Sequence, residues 1–237
     1  MQNSKKRRGS DEQVFVPALR YKWATGIYDL VIEYFTRGRA LRNLSIDAIA
    51  PKAGEILLDL GCGTGGLTIA IANAEPEASV TGYDIDPDIL DIARKKMGPQ
   101  SDALCVTLRE VNVTDIASIP QSDLGRFHCV TSSLVFHHLT FGQKRQAIES
   151  VKSLLRPGGR FVLIDWGPGA SLLLQAAFLQ VRLLDGFDVT RDNANGNLPS
   201  LLEEAGFSQI DAKPILNTMF GTVWQYHAKA TSLYDEV

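Results

Sequence analysis

Reactive side chains in this sequence gather where apolar runs end. Asp59 closes "EILLDL" two residues ahead of a glycine cluster, and Asp84 closes "ASVTGYD". Ser132 lies near the end of "FHCVTSS", with His137 and His138 just beyond it. Asp165 and Trp166 close "RFVLIDW", and Asp115 follows "LCVTLRE" after a short gap. Carboxylates can hold hydroxyls or cations, and histidine can exchange a proton near neutrality. Gly61, Gly63 and Gly66 satisfy the spacing G-x-G-x-x-G, which lets a backbone approach a nucleotide closely.

Three ligands compete for that glycine turn. A phosphate-cradling P-loop needs a lysine directly after its glycines, and no lysine occurs between Glu55 and Lys95. A nicotinamide or flavin dinucleotide fits the glycine spacing, with Asp84 at a suitable distance for its ribose. Its pyrophosphate would then lie near Asp59, whose negative charge repels it in a partly buried site. A nucleoside-like ligand without phosphate removes that conflict. S-adenosylmethionine is such a ligand, with a cationic sulfonium and ammonium that suit Asp59.

The elements that must position these residues follow from periodicity. Residues 21–49 read as helical, with Leu30, Val31, Tyr34 and Phe35 on one side and Ser45 as the cap of a second helix. Strands are expected at "EILLDL", "ASVTGYD", "LCVTLRE", "FHCVTSS" and "RFVLIDW", the first apolar enough for a strand buried on both faces. Helices are expected over 65–74, over 87–97 behind the cap Asp86, and over "KRQAIESVKSLL". "RPGG" reads as a turn. Further helices are expected over 171–184 and at "LPSLLEEAGF", the latter ended by Gly206, with "TRDNANGN" as a polar loop between them. Two strand-like segments, 208–213 and 219–228, close the chain. Alternating strands and helices imply one doubly wound α/β domain with a mostly parallel sheet and a helical N-terminal extension. Ligands on such sheets bind beyond the carboxyl ends of the strands, where the informative residues fall.

Bulk properties narrow the class. The 237 residues are 45% hydrophobic with a formal net charge of −3, which argues against a broad nucleic-acid surface. Cys62, Cys105 and Cys129 are scattered and show no zinc-ligand or disulfide spacing, so no metal site is expected and a cytoplasmic setting fits. "MQNSKKRRGSDEQ" lacks the apolar stretch of a signal peptide and reads as a solvated tail. The greasy segment 172–187 is interrupted by Gln175, Gln180, Arg182 and Asp185, too short and polar to span a bilayer. The chain is expected to be a monomer or a homodimer without stable membrane insertion.

"EILLDLGCGTGGLTIAIA", "VTGYDIDPDILDIARKK", "VNVTDIASIP", "FHCVTSSLVFHHL" and "LLRPGGRFVLIDW" occur in the order and at the spacing of class I S-adenosylmethionine-dependent methyltransferases. The resemblance is to their small-molecule branch, which includes quinone-ring and natural-product methyltransferases, and it is strong over 56–166. It implies a seven-stranded Rossmann-like sheet whose last strand runs antiparallel. It implies that Asp59, Gly61, Cys62 and Gly63 line the methionine part of the cofactor, that Asp84 holds the ribose, and that Ile85 flanks the adenine. Asp115 matches the position that meets the adenine amino group, with Ile116 beside it, and Ser132 lies near the methionine end. Tyr21, with Trp23 and Tyr28, is placed to fold over the cofactor as a lid or to pack among the N-terminal helices. His128 stands where the family often has a structural acid.

Methyl transfer from a sulfonium needs alignment and dryness more than a nucleophilic residue, and a general base helps a hydroxyl or acidic carbon acceptor. His137 and His138 are the base candidates, with an ordering role for His138 the alternative. Asp165 and Trp166 either face the acceptor or serve packing. The expected layout is a tail over 1–13 and one domain over 14–237: a helical cap to 50, a cofactor-binding core over 51–166, a lid insertion over 167–198, and closing elements thereafter. The function implied is methylation of a small, lipophilic or aromatic acceptor. Its alternatives are a nicotinamide-dependent oxidoreductase, a cofactor-binding protein without turnover, or a non-methylating use of the same cofactor.

Overall fold

A computed structural model describes residues 38–98 and 104–231. The polar tail, the first helical stretch and Tyr21, Trp23 and Tyr28 lie outside the described residues.

A sheet of seven strands organises the described residues. The strands are β1 (Ile56–Leu60), β2 (Ser79–Asp84), β3 (Val106–Glu110), β4 (Phe127–Ser133), β5 (Leu155–Gly167), β6 (Phe207–Thr218) and β7 (Gly221–Ala230), in the spatial order β3-β2-β1-β4-β5-β7-β6. The first five pair in parallel, and β7 runs antiparallel to both neighbours. The direction of winding reverses between β1 and β4, so the crevice expected of a doubly wound sheet opens at their carboxyl ends. Asp59 sits there, in register with Gly82 of β2 and Thr131 of β4.

The helices are α1 (Gly38–Ile49), α2 (Gly66–Ala74), α3 (Pro87–Met97), α4 (Phe141–Leu154), α5 (Leu172–Asp185), α6 (Arg191–Asn195) and α7 (Leu198–Glu204). They cover both faces of the sheet, so the period of two along each strand supplies two cores. Leu58, Leu60, Phe161 and Leu163 pack on one face with Ala147, Ile148 and Val151 of α4 and Leu201 and Leu202 of α7. Leu57, Val162 and Ile164 point the other way, against Leu41 and Ile49 of α1, Ile71 of α2 and Phe178 and Val181 of α5. Among the described residues no helix is long and apolar enough to cross a membrane.

Several local expectations change. Ser45 is not a cap: it lies inside α1, buried, and its hydroxyl donates to the Leu41 carbonyl at 2.8 Å. "RPGG" is not a free turn but the irregular opening of β5, because Leu155 already pairs with Phe127 before the register shifts. The polar "TRDNANGN" contains the short helix α6, whose Asn193 is buried and donates to the Trp166 carbonyl at 2.9 Å. β6 is longer than its composition implied, since Pro214 falls on the edge of the sheet, where a missing N–H is tolerated, and next to a register shift. Asp86 does cap α3, accepting from Asp88 and Ile89. His128 accepts from the Ile56 amide at 3.2 Å, tying β4 to β1.

Candidate active site

The first half of the site is the turn after β1. The amides of Gly61 and Cys62 both donate to the Tyr83 carbonyl, which folds the turn over the end of β2. Gly61 has φ +72°, and a β-carbon there would overlap the Val135 side chain arriving from beyond β4. That glycine therefore serves the approach of a protein loop. Gly63 differs: its φ is +54°, and a β-carbon would meet nothing within 4 Å. Gly65 instead packs on Ala93 of α3.

Asp84 is half-buried beside this turn. Its carboxylate accepts from the Gly63 amide at 2.8 Å and the Asp86 amide at 3.0 Å. A carboxylate has about four lone-pair positions, so with amides on one side of it acceptor capacity remains for a ligand hydroxyl. Burial raises the Asp84 pKa above its ordinary value, and the amides pull it back. Asp59 is almost fully enclosed and accepts from the Thr68 hydroxyl at 2.6 Å. Burial pushes its pKa up to about 6, with Asp84 adding to the effect. A buried carboxylate so placed gains from a cation.

The remaining cofactor candidates are spread around this turn. The Cys62 side chain is buried near Gly82, and burial followed by Asp59 pushes its thiol pKa up, so only its backbone is offered to a ligand. Ile85 is exposed directly after Asp84. Asp115 is exposed but caps the short turn Ile116–Ser118 by accepting from Ala117 at 3.1 Å. Ile116 is exposed, and the two border a cleft of about 230 Å³ together with Gln146 and Glu149. Ser132 is buried, and its hydroxyl donates to the Leu60 carbonyl at 2.9 Å. It ties the carboxyl ends of β4 and β1 together.

The second half lies past β4 and β5. His137 and His138 occupy a single 3-10 turn, Phe136–His138. His137 is only 4% exposed, and its Nδ1 lies 2.7 Å from Asp165 Oδ1. Asp165 also accepts from the amides of Phe136, His137 and Trp166. Burial acts to raise the Asp165 pKa, but His137 and these amides hold it below the ordinary carboxylate range. An ionised Asp165 only accepts, so His137 Nδ1 donates to it and Nε2 points away from it. Asp165 therefore does not face an acceptor; it sets the tautomer and orientation of His137. Trp166 packs beneath α5, its ring 5.8 Å from that of Phe178, and meets His137 edge-on.

Asp185, the last residue of α5, completes this half. Its Oδ2 is 3.7 Å from His137 Nε2 and its Oδ1 is 3.7 Å from His138 Nδ1. Burial raises the Asp185 pKa, while burial and the neighbouring His137 push that of His138 down to about 3. In the sequence Asp185 stands out only as a charge that interrupts the greasy segment 172–187. Its spacing from Phe178 and Val181, which puts all three on the inward face of one helix, was the usable signal. Nothing in the sequence singled out Thr68 or Val135.

A methyltransferase-domain family model matches residues 58–161. The chain is 31% identical over 173 residues to a malonyl-acyl-carrier-protein O-methyltransferase of Paenibacillus sp., covering 71% of this chain and 59% of that one. It is 32% identical over 158 residues to a demethylmenaquinone methyltransferase of Thermus thermophilus, covering 65% of this chain and 68% of that one. In structure it resembles an O-methyltransferase family protein from Burkholderia thailandensis, with a TM-score of 0.69 at 16% identity over 89% of this chain and 60% of that one. The chain thus spans less than two thirds of the Paenibacillus and Burkholderia proteins. The structural likeness shows the mostly parallel, Rossmann-like fold.

Proposed function

This chain belongs to the class I S-adenosylmethionine-dependent methyltransferases, and on that premise we propose that it methylates a small, lipophilic or aromatic organic acceptor. The observation that carries the reading is the meeting of two differently equipped halves at one end of the sheet. One offers carboxylates to a cationic nucleoside, and the other offers a dry, oriented imidazole nitrogen.

The first half fits the cofactor. Asp59 is a buried acid in want of a cation, Asp84 keeps acceptor capacity for a ribose diol, and Gly63 leaves open the volume a side chain would fill. When bound, S-adenosylmethionine supplies a methyl group on a positively charged sulfur. Ile85 flanks the adenine, with Asp115 and Ile116 at its far edge. Cys62 contributes backbone, Gly61 lets Val135 close the crevice, and Ser132 fixes the strand ends beneath. A dinucleotide is disfavoured by the same Asp59 that suits a sulfonium.

The second half meets the acceptor. Asp165 holds His137 so that Nε2 is what an acceptor hydroxyl or acidic carbon finds, and His138 lies beside it, its ring tilted by 42° with centroids 4.0 Å apart. Water is kept from His137 by its burial beneath Trp166 and α5, and dryness strengthens its interaction with an ionising acceptor. The apolar character of the acceptor is supported by Trp166, which meets His137 edge-on, and by Phe178 of α5 beside it. The likeness to a demethylmenaquinone methyltransferase points the same way. In this reading 167–198 is the insertion that selects the acceptor, and the protein is a monomer or homodimer.

The reading is tested by incubating the protein with S-adenosylmethionine and a panel of phenols, hydroquinones and enolisable ketones, then measuring S-adenosylhomocysteine by mass spectrometry. Product above the no-acceptor control is expected with an apolar member of the panel. His137→Gln should lower its rate at least tenfold while leaving cofactor affinity intact. Tight cofactor binding with no product from any acceptor would instead make this a binding protein without turnover.

A further inference from the structure

His137, His138 and Asp185 make no hydrogen bond with one another, yet their ligating atoms all lie within 4.8 Å of one another. The two nitrogen-to-carboxylate separations of 3.7 Å are too long for hydrogen bonds and too short to hold a bridging water. They come close to the separation of neighbouring ligands on one ion. Donors about 2.0–2.1 Å from a tetrahedral centre stand roughly 3.3–3.4 Å apart. The two carboxylate pairs would need to close by only a few tenths of an ångström, which the Asp185 side chain at a helix end can supply, and the two imidazole nitrogens, within 4.8 Å of each other, by up to about 1.5 Å through rotation of the half-buried His138 ring.

We propose that His137 Nε2, His138 Nδ1 and Asp185 bind a divalent first-row transition ion. Two neutral imidazoles and one carboxylate form a borderline donor set with one negative charge, suited to Zn²⁺, Co²⁺ or Fe²⁺ over Mg²⁺ or Ca²⁺. The support behind the ligands is already built. A metal-binding histidine characteristically donates its other N–H to a carboxylate or carbonyl, and Nδ1 of His137 does so to the enclosed Asp165 at 2.7 Å. Asp165 is in turn fixed by three backbone amides. Three protein ligands leave coordination positions open, as in catalytic and not structural sites. His138 and Asp185, the less buried members, lie on the open side.

This site deepens the methyltransferase reading and rests on it for its use. An acceptor hydroxyl that binds the ion at an open position loses its proton to solvent at neutral pH, as metal-bound water does. The resulting oxyanion attacks the methyl carbon in line as the carbon–sulfur bond breaks, and the electron pair leaves on sulfur. The substrate class then narrows to acceptors with an ionisable oxygen, such as phenols, hydroquinones and enols. This replaces direct proton transfer to His137: with the ion bound, His137 Nε2 is a ligand, and the His137→Gln loss of rate is then a loss of the ion. The linear sequence hid the site because Asp185 lies 47 positions beyond His138.

The test uses the full chain, stripped with a chelator and titrated with Co²⁺ under visible absorption, with Mg²⁺ as control. One Co²⁺ per chain is expected, with a d–d spectrum of low coordination number, displaced by Zn²⁺ and not by Mg²⁺. Asp185→Asn and His138→Gln, which alter the less buried ligands, should each weaken Co²⁺ binding at least tenfold while thermal unfolding confirms the fold. Absence of stoichiometric Co²⁺ binding by the wild-type chain would overturn the site, as would unchanged affinity in both variants. Calorimetry with S-adenosylhomocysteine on the stripped protein reads the cofactor half separately. Failure there would count against the methyltransferase reading and not against the metal site.

Discussion

Asp84 and Asp59 are both acids at strand ends, but their surroundings give them different duties. Asp84 keeps lone pairs for a ligand, and Asp84→Ala should weaken S-adenosylhomocysteine binding by about 1–3 kcal/mol through loss of charge-assisted bonds. Unchanged affinity in calorimetry would remove it from the site. Asp59 is governed by burial, with a folded pKa of about 6 against an ordinary value of 3.8. Between those values the folded apoprotein holds a proton that the unfolded chain has released. Its contribution therefore favours the fold at acid pH and declines as pH rises through 6, by at most about 3 kcal/mol. A cationic ligand beside it reverses the balance, so affinity for S-adenosylhomocysteine, which retains its ammonium group, should rise about tenfold from pH 5 to pH 7. Asp59→Asn should flatten that profile, and a flat wild-type profile would show that Asp59 does not face the cation. Both acids were legible in the sequence, because a polar residue ending an apolar run announces itself. The partnership of Asp165 with His137, and the place of Asp185, were not. They depend on strand register and helix rotation across 28 and 48 positions of sequence separation.

At the scale of elements, the glycine turn and the buried lysine show how loops are held. Gly61 and Gly63 share a left-handed backbone but have unlike surroundings. Gly61→Ala combines backbone strain with overlap on Val135 and should cost roughly 2–4 kcal/mol in urea unfolding. Gly63→Ala carries the backbone strain alone and should cost about 1–2 kcal/mol of stability, yet reduce cofactor affinity, because its methyl group enters open space. Equal effects of the two on stability would contradict this division. Lys144 of α4, fully enclosed, donates to the carbonyls of Leu139 and Val189 and lies 3.4 Å from Asp192. It fastens the loop after the histidines to the segment between α5 and α6. Lys144→Met leaves these acceptors buried without a donor and should destabilise the protein by about 3–5 kcal/mol; a loss below 1 kcal/mol would show the clamp to be idle. In the sequence Lys144 was one more polar residue of an amphipathic helix. The strands and most helices were legible from periodicity and caps. Edge positions such as Pro214, the opening of β5 at "RPGG" and the short α6 were not, since local breakers are overruled there by pairing with neighbours.

The whole molecule divides its tasks along the sheet. The winding reversal between β1 and β4 sets the cofactor turn beside the loop bearing the histidines. The antiparallel β7 lies between β5 and the edge strand β6, and α5 packs across β7 to bring Asp185 back to the site. Alternating apolar strands and helices announced that architecture, and the five blocks in register announced the family. The acceptor was not announced, because the residues proposed to meet it, His137, His138 and Asp185, come from segments far apart in sequence. Everything proposed for the site depends on the glycine turn holding a cationic, phosphate-free nucleoside. Isothermal titration of the wild-type chain at pH 7 with S-adenosylhomocysteine and, separately, with NADH tests it most directly. Stoichiometric binding of S-adenosylhomocysteine, with no heat from NADH, is predicted. Binding of NADH with none of S-adenosylhomocysteine would contradict it.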